Sequence, residues 1–107
     1  MAARTLINVP QKAKRGDVIQ IRTLISHVME NGFRHDSSGK PIPRNIITAF
    51  VCTYNGETIF DATLYPAISA NPFLTFSAVA TESGTFTFKW TGDNGFAQEA
   101  SAKITVE

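Results

Sequence analysis

Glu82-Ser83-Gly84-Thr85-Phe86-Thr87-Phe88-Lys89-Trp90-Thr91-Gly92-Asp93-Asn94-Gly95, continuing through Ala97 to Val106, decides how this chain folds. Ser83-Gly84 is a turn signal, and from Thr85 to Thr91 aromatic and polar residues alternate without a break. Gly92 to Gly95 supplies residues that tolerate positive φ. Beyond it Ala100, Ala102, Ile104 and Val106 alternate with Glu99, Ser101, Lys103 and Thr105. A period of two in both arms predicts a β-hairpin with one buried face. Phe86, Phe88 and Trp90 cover several hundred square ångströms of apolar surface at the roughly 150–250 Å² each that aromatics bury. A lone hairpin cannot hide that much, so a second sheet is expected to lie on it.

Working outward, 107 residues make a single domain, 1–107, with room for a core that needs neither disulfides nor metals. A hydrophobic content of 43% with 18% charged residues fits a folded globular chain rather than a disordered one. The net charge of +1 gives no footprint for nucleic acid or an anionic membrane, and no apolar run is long enough to span a bilayer. Residues Met1 to Pro10 lack the apolar segment of a secretory signal, so the chain by itself is expected to stay in the cytoplasm. One cysteine, Cys52, excludes an intrachain disulfide.

Upstream of the hairpin the same period recurs. Thr5 to Val9, ended by Pro10, suits an edge strand, and Lys12 to Asp17 reads as a charged turn. Val18 to Met29 is β-rich, with Ile19, Ile21 and Ile25 on one side; Thr23 and Leu24 blur the alternation, as in a strand packed on both faces. Glu30 to Pro43 reads as a long loop carrying Arg34, His35, Asp36 and Lys40. Asn45 to Leu64 forms a second hairpin about Asn55-Gly56. A two-residue turn there pairs Tyr54 with Glu57, Cys52 with Ile59 and Phe50 with Asp61. One face then holds Ile47, Ala49, Val51, Phe60, Ala62 and Leu64, the better core candidate; the other holds Ile46, Phe50, Cys52, Tyr54 and Ile59. After a crossing loop, Tyr65 to Pro72, the strand Phe73 to Ala80 places Leu74, Phe76, Ala78 and Ala80 on one side. About seven strands and no helix predict an all-β, antiparallel sandwich of immunoglobulin-like type. Phe86 stands where such folds often place a corner tyrosine, so the corner's hydroxyl hydrogen bond is expected to be missing.

The chemistry-bearing residues are few. His27, His35 and Cys52 are the only soft ligands, on separate segments, where a mononuclear metal site wants three or four converging groups. An iron enzyme of the superoxide reductase kind needs more histidines than this chain has. Cys52 lies mid-strand in Phe50-Val51-Cys52-Thr53-Tyr54, where a cysteine packs as a small hydrophobe rather than acting as a nucleophile. No nucleophile triad, phosphate loop or carboxylate pair stands out. No catalytic residue, metal or cofactor is assigned.

Several segments taken together resemble the SoxZ family: Ser26-His27-Val28-Met29-Glu30-Asn31-Gly32, Gly39-Lys40-Pro41-Ile42-Pro43-Arg44, Tyr54-Asn55-Gly56, Ser69-Ala70-Asn71-Pro72-Phe73, Ser83-Gly84 and Trp90. The resemblance runs almost end to end, with Val28 where the family often has proline. It implies an immunoglobulin-like, non-catalytic subunit that pairs with SoxY in the SoxYZ sulfur-carrier complex of thiosulfate oxidation. In that complex the sulfur intermediates ride on a cysteine in SoxY's glycine-flanked C-terminal arm. The ending Ala102 to Glu107 lies inside a strand and has no such arm, so the carrying subunit is expected to be the partner. The resemblance also implies a periplasmic location reached by export together with SoxY, and transient contact with other periplasmic Sox proteins through the complex. The isolated chain is expected to be a monomer or a weak homo-oligomer.

The expected partner surface is Phe50, Cys52, Tyr54 and Ile59 on the second face of the Asn55-Gly56 hairpin, then Met29, Phe33 and Arg34, and Asn71 and Phe73, from the adjoining loops. Two other classes compete with this reading: a small metal- or thiol-dependent redox protein using His27, His35 and Cys52, and a free-standing β-sandwich interaction module.

Overall fold

A computed structural model describes residues 3–107. Its strands are β1 (Thr5–Asn8), β2 (Lys12–Ala13), β3 (Val18–Ile25), β4 (Ile47–Tyr54), β5 (Glu57–Thr63), β6 (Phe73–Val79), β7 (Gly84–Gly92) and β8 (Ala97–Val106). They form two stacked sheets, a three-stranded one ordered β1-β3-β6 and a five-stranded one ordered β2-β8-β7-β4-β5. This is the immunoglobulin-like sandwich expected from the period of two, with the two-residue β2 as an addition. Lys12 and Ala13, expected in a turn, pair in parallel with Thr105 and Val106.

The β7–β8 hairpin pairs from Gly84↔Ile104 to Thr91↔Ala97 and closes through a 3-10 turn, Asp93–Gly95, with Asn94 at φ 59°. Phe86, Phe88 and Trp90 face inward and are buried, as their spacing requires. Across from them Ile19, Ile21 and Ile25 of β3 and Phe76 of β6 complete the core. Thr23 does not blur the β3 alternation. It takes the inward position between Ile21 and Ile25, buried, and its hydroxyl donates to the Leu74 carbonyl at 3.2 Å. The internal acceptor removes the cost of burying that polar group.

Strands β4 and β5 depart from the expected faces, and two irregularities explain why. Against β7, Ile47 pairs with Gly92 and Ala49 with Thr91, leaving Thr48 as an extra residue. That bulge reverses the parity of everything after it. Ile47 points inward, but beyond the bulge the inward residues are Phe50, Cys52 and Tyr54, all buried. Ala49 and Val51 turn outward, in register with Thr91 and Lys89. On β5 the pairing runs Thr53↔Thr58 and then Cys52↔Phe60, so Ile59 is the second extra residue. Phe60 and Ala62 therefore join Cys52 and Phe50 on the inner face, where Phe60 stacks on Phe76 of the opposite sheet at 4.3 Å and 3°. The expected pairs Cys52 with Ile59 and Phe50 with Asp61 are replaced accordingly; Tyr54 with Glu57 holds.

The corner hydrogen bond is present after all, supplied from another strand. The Tyr54 hydroxyl accepts from the Glu82 amide at 3.1 Å and donates to the Glu82 carbonyl, while its ring stacks on Phe86 at 4.4 Å. Phe86 keeps the corner position and Tyr54 brings the oxygen. A buried hydroxyl satisfied in both senses is worth about 1–3 kcal/mol against leaving the corner amide and carbonyl unpaired.

Candidate functional site

Cys52 was a candidate both for sulfur chemistry and for partner contact. It sits on the inward side of β4 in register with Phe88 and Phe60, with no exposed surface. Burial pushes its thiol pKa up to about 12. At neutral pH the sulfur is protonated, dry and without the cationic neighbour that activates a nucleophilic cysteine.

His27, His35 and Cys52 do not converge. His27 packs edge-on against Phe96 with ring centroids 4.8 Å apart, and His35 lies in an exposed bridge with Pro41. Among the described residues no three His, Cys, Asp or Glu side chains are grouped to hold a metal. His27 instead organises the exit of β3. Its Nδ1 accepts the Met29 amide at 3.0 Å, and its backbone exchanges hydrogen bonds with Asn71, amide to Oδ1 at 3.0 Å and carbonyl from the Asn71 amide at 2.8 Å. Partial burial lowers the His27 pKa, opposed by the nearby Asp93 carboxylate.

Of the residues expected at a partner surface, Met29, Phe50, Cys52 and Tyr54 are corrected to the interior. The β4 bulge turns the last three inward. Met29, held at φ 49°, drops its thioether into the core, where Sδ accepts the Ile47 amide at 3.3 Å. Arg34 is exposed but ion-paired with Glu30, which lies beside the start of β4 through the bridge Glu30↔Asn45. The segment from 30 to 43, expected as an open loop, carries a short ladder of its own: Ile42 donates to the Arg34 carbonyl at 2.9 Å and Asp36 to that of Lys40 at 2.9 Å. Asn71 is exposed, with its side chain committed to His27. Phe33 at 78% exposure, Phe73 at 59% and Ile59 at 37% remain available at the surface, at three separate places in the fold.

Ile59 borders an open cleft of about 410 Å³ between the free edges of β5 and β6, lined also by Glu57, Ala78, Val79 and Glu82. Phe73 belongs to a different surface, which sequence reading missed. On the outer side of the three-stranded sheet it is in register with Leu24, and Leu24 with Leu6, an apolar row across all three strands. Leu24, the apolar residue out of phase with the β3 isoleucines, was the signal for it.

At the opposite end of the β4–β7 contact, Arg44 grips Asp93 through two hydrogen bonds of 2.8 and 2.9 Å, and Asp93 Oδ2 also accepts the Ile46 amide at 3.1 Å. The guanidinium, then the amide, hold the Asp93 carboxyl below the usual carboxylate range. This pair ties the β7–β8 turn to the start of β4. Its role is structural.

The family model "Sulphur oxidation protein SoxZ" matches residues 7–103. The chain belongs to the SoxZ family. As a SoxZ-family member it has its place in the Sox sulfur-oxidation system. No curated protein sequence matches it. Among solved structures it is similar to the superoxide reductase (neelaredoxin) of Ignicoccus hospitalis, with a TM-score of 0.70 and 18% identity over 98% of this chain and 82% of that one. It is also similar to the sulfur carrier protein SoxY of Chlorobium limicola f. thiosulfatophilum, with a TM-score of 0.67 and 11% identity over 96% and 78% of the two chains. A CARDB domain of Pyrococcus furiosus, solved with two metal ions, matches with a TM-score of 0.59 and 12% identity over 99% and 90%. At such identities these three show a shared fold and nothing about chemistry.

Proposed function

We propose that this SoxZ-family chain is the non-catalytic subunit of a sulfur-carrier heterodimer, binding SoxY, whose C-terminal cysteine arm carries the intermediates of thiosulfate oxidation. The observation that carries this reading is the family match over residues 7–103. The chemistry of the chain supports it. The one thiol in the sequence is sealed in the core as a neutral group, and the His27 ring holds the Met29 backbone amide. What the fold offers is a rigid sandwich whose outer faces recognise other proteins. In this reading the chain stabilises SoxY, adds recognition area for the enzymes that load and unload it, and works in the periplasm after export together with SoxY.

The test is co-expression with SoxY followed by purification through a tag on SoxY alone. A one-to-one complex that stays together through size-exclusion chromatography is the expected result. Elution of the two chains as separate species would overturn the reading.

A further inference from the structure

Candidate surfaces are the β5–β6 cleft, the outer face of the five-stranded sheet and the outer face of the three-stranded sheet. The first is bordered by Glu57 and Glu82, with Ile59 half withdrawn into a bulge. The second presents short polar rows, such as Ser101–Thr87–Thr53–Thr58, with Lys89 between Glu99 and Val51. Interface centres are more apolar than the rest of the surface and favour aromatic and arginine side chains over Ser, Lys, Asp and Glu. Neither surface has that composition.

The outer face of the three-stranded sheet has it. The register stacks four outward rows: Leu6–Leu24–Phe73, Asn8–Arg22–Thr75, Gln20–Ser77 and Val18–Val79. Both end rows are apolar and uncovered, with Leu6 67%, Phe73 59%, Val18 73% and Val79 50% exposed. Between them Arg22 is laid along the sheet by a hydrogen bond of 3.0 Å to the Gln20 side chain. Among the described residues that guanidinium forms no ion pair, and no Asp or Glu occurs in any of the three strands. A cation set between two apolar rows, with no acid in the strands of its own sheet, is free to pair with a carboxylate presented by a docking partner.

We propose that this face, centred on Arg22 and Phe73, is where the chain docks SoxY, and that SoxY meets it with apolar side chains flanking a carboxylate set against Arg22. The proposal rests on the SoxY reading above. A second copy of this chain is a poorer occupant. A twofold contact sets a patch against itself, so two guanidinium-centred faces would meet with no acid on either. The end rows lie six residues apart along β3, roughly 20 Å at 3.3 Å per residue. Three strands about 4.8 Å apart make the face roughly 10–15 Å wide, or about 200–300 Å². A standard interface of about 800 Å² per partner is larger and would extend past Phe73 toward the β5–β6 loop, where Tyr65 and Ile68 are exposed.

The experiment measures the affinity of the purified full chain for SoxY by calorimetry, first unsubstituted. Phe73→Asp and Arg22→Glu place acids on the face while leaving the inward side of the sheet untouched. Each is expected to raise Kd by about tenfold or more, the usual effect of disturbing an interface centre. Ile59→Asp in the cleft and Thr87→Lys on the other sheet are expected to stay within about twofold, as peripheral positions do. If an acidic variant fails to fold, as judged by circular dichroism, Phe73→Ser and Arg22→Gln replace it, and weakened binding is again expected. Wild-type affinity in the variants of Phe73 and Arg22 overturns the docking face while SoxY stands as partner. Absence of binding by the unsubstituted chain is seen before any substitution and overturns the SoxY reading itself, and this face with it.

Discussion

Cys52 is the residue on which a sulfur-handling role for this chain would have to rest, and its environment makes it a liability in base rather than a reagent. Burial raises its pKa to about 12, so the folded state keeps the proton that the unfolded chain releases at an ordinary thiol's pH. The sign follows from linkage: where the native state binds more protons, stability falls as pH rises. The contribution is complete below about pH 9 and is lost progressively toward pH 12. Chemical denaturation across that range is expected to show a steeper loss of stability for the wild type than for Cys52→Ala, with the two slopes alike below pH 8. Parallel slopes throughout would mean the thiol is not buried as described. The local sequence made the residue legible as a packed cysteine, because Phe50-Val51-Cys52-Thr53-Tyr54 offers no activating cation. It does not disclose the side of the strand: a strict period of two puts Phe50, Cys52 and Tyr54 on the face away from Ile47, and the bulge turns them inward.

Parity failed at the level of the element. In the β7–β8 hairpin the aromatic alternation is uninterrupted and its turn residues are unmistakable, so face, length and turn are all readable from the chain. At the start of β4 the adjacent isoleucines Ile46 and Ile47 are both buried, and the extra residue at Thr48 swaps the faces; nothing in a period-two pattern marks where that swap falls. The partner of the bulge is marked, in retrospect, by Gly92. A Cβ there would lie 2.8 Å from the Ile47 Cα and closer still to the Ile46 carbonyl oxygen, so the two strands approach this tightly because residue 92 has no side chain. Its φ of −167° is extended and open to any residue, so the requirement is for space alone. Gly92→Ala is expected to destabilise the domain by about 1–3 kcal/mol, the usual cost of overpacking, read as a lower denaturation midpoint with an unchanged m-value. Stability equal to wild type would show that β4 and β7 can separate at this point without loss. The same logic limited the site: Leu24 was visible as an apolar residue out of phase, but its neighbours Leu6 and Phe73 lie far away in sequence and become a row through strand register alone.

At the scale of the whole molecule, the sandwich has closed over its one thiol and left the Leu6–Leu24–Phe73 row and Arg22 on the outer face of the three-stranded sheet. That division of labour suits a subunit whose contribution is to hold a partner. The superoxide reductase and SoxY structures this chain is similar to share the sandwich, which carries no chemistry of its own. The central claim, that reactive sulfur resides on the partner and never on this polypeptide, is tested most directly by intact-mass spectrometry of both chains of the SoxY complex after thiosulfate turnover with the Sox enzymes. Sulfur adducts on SoxY beside an unmodified mass for this chain are the expected result. A persulfide or thiosulfonate mass on this chain, mapped to Cys52 and persisting when SoxY's tail cysteine is removed, would contradict it.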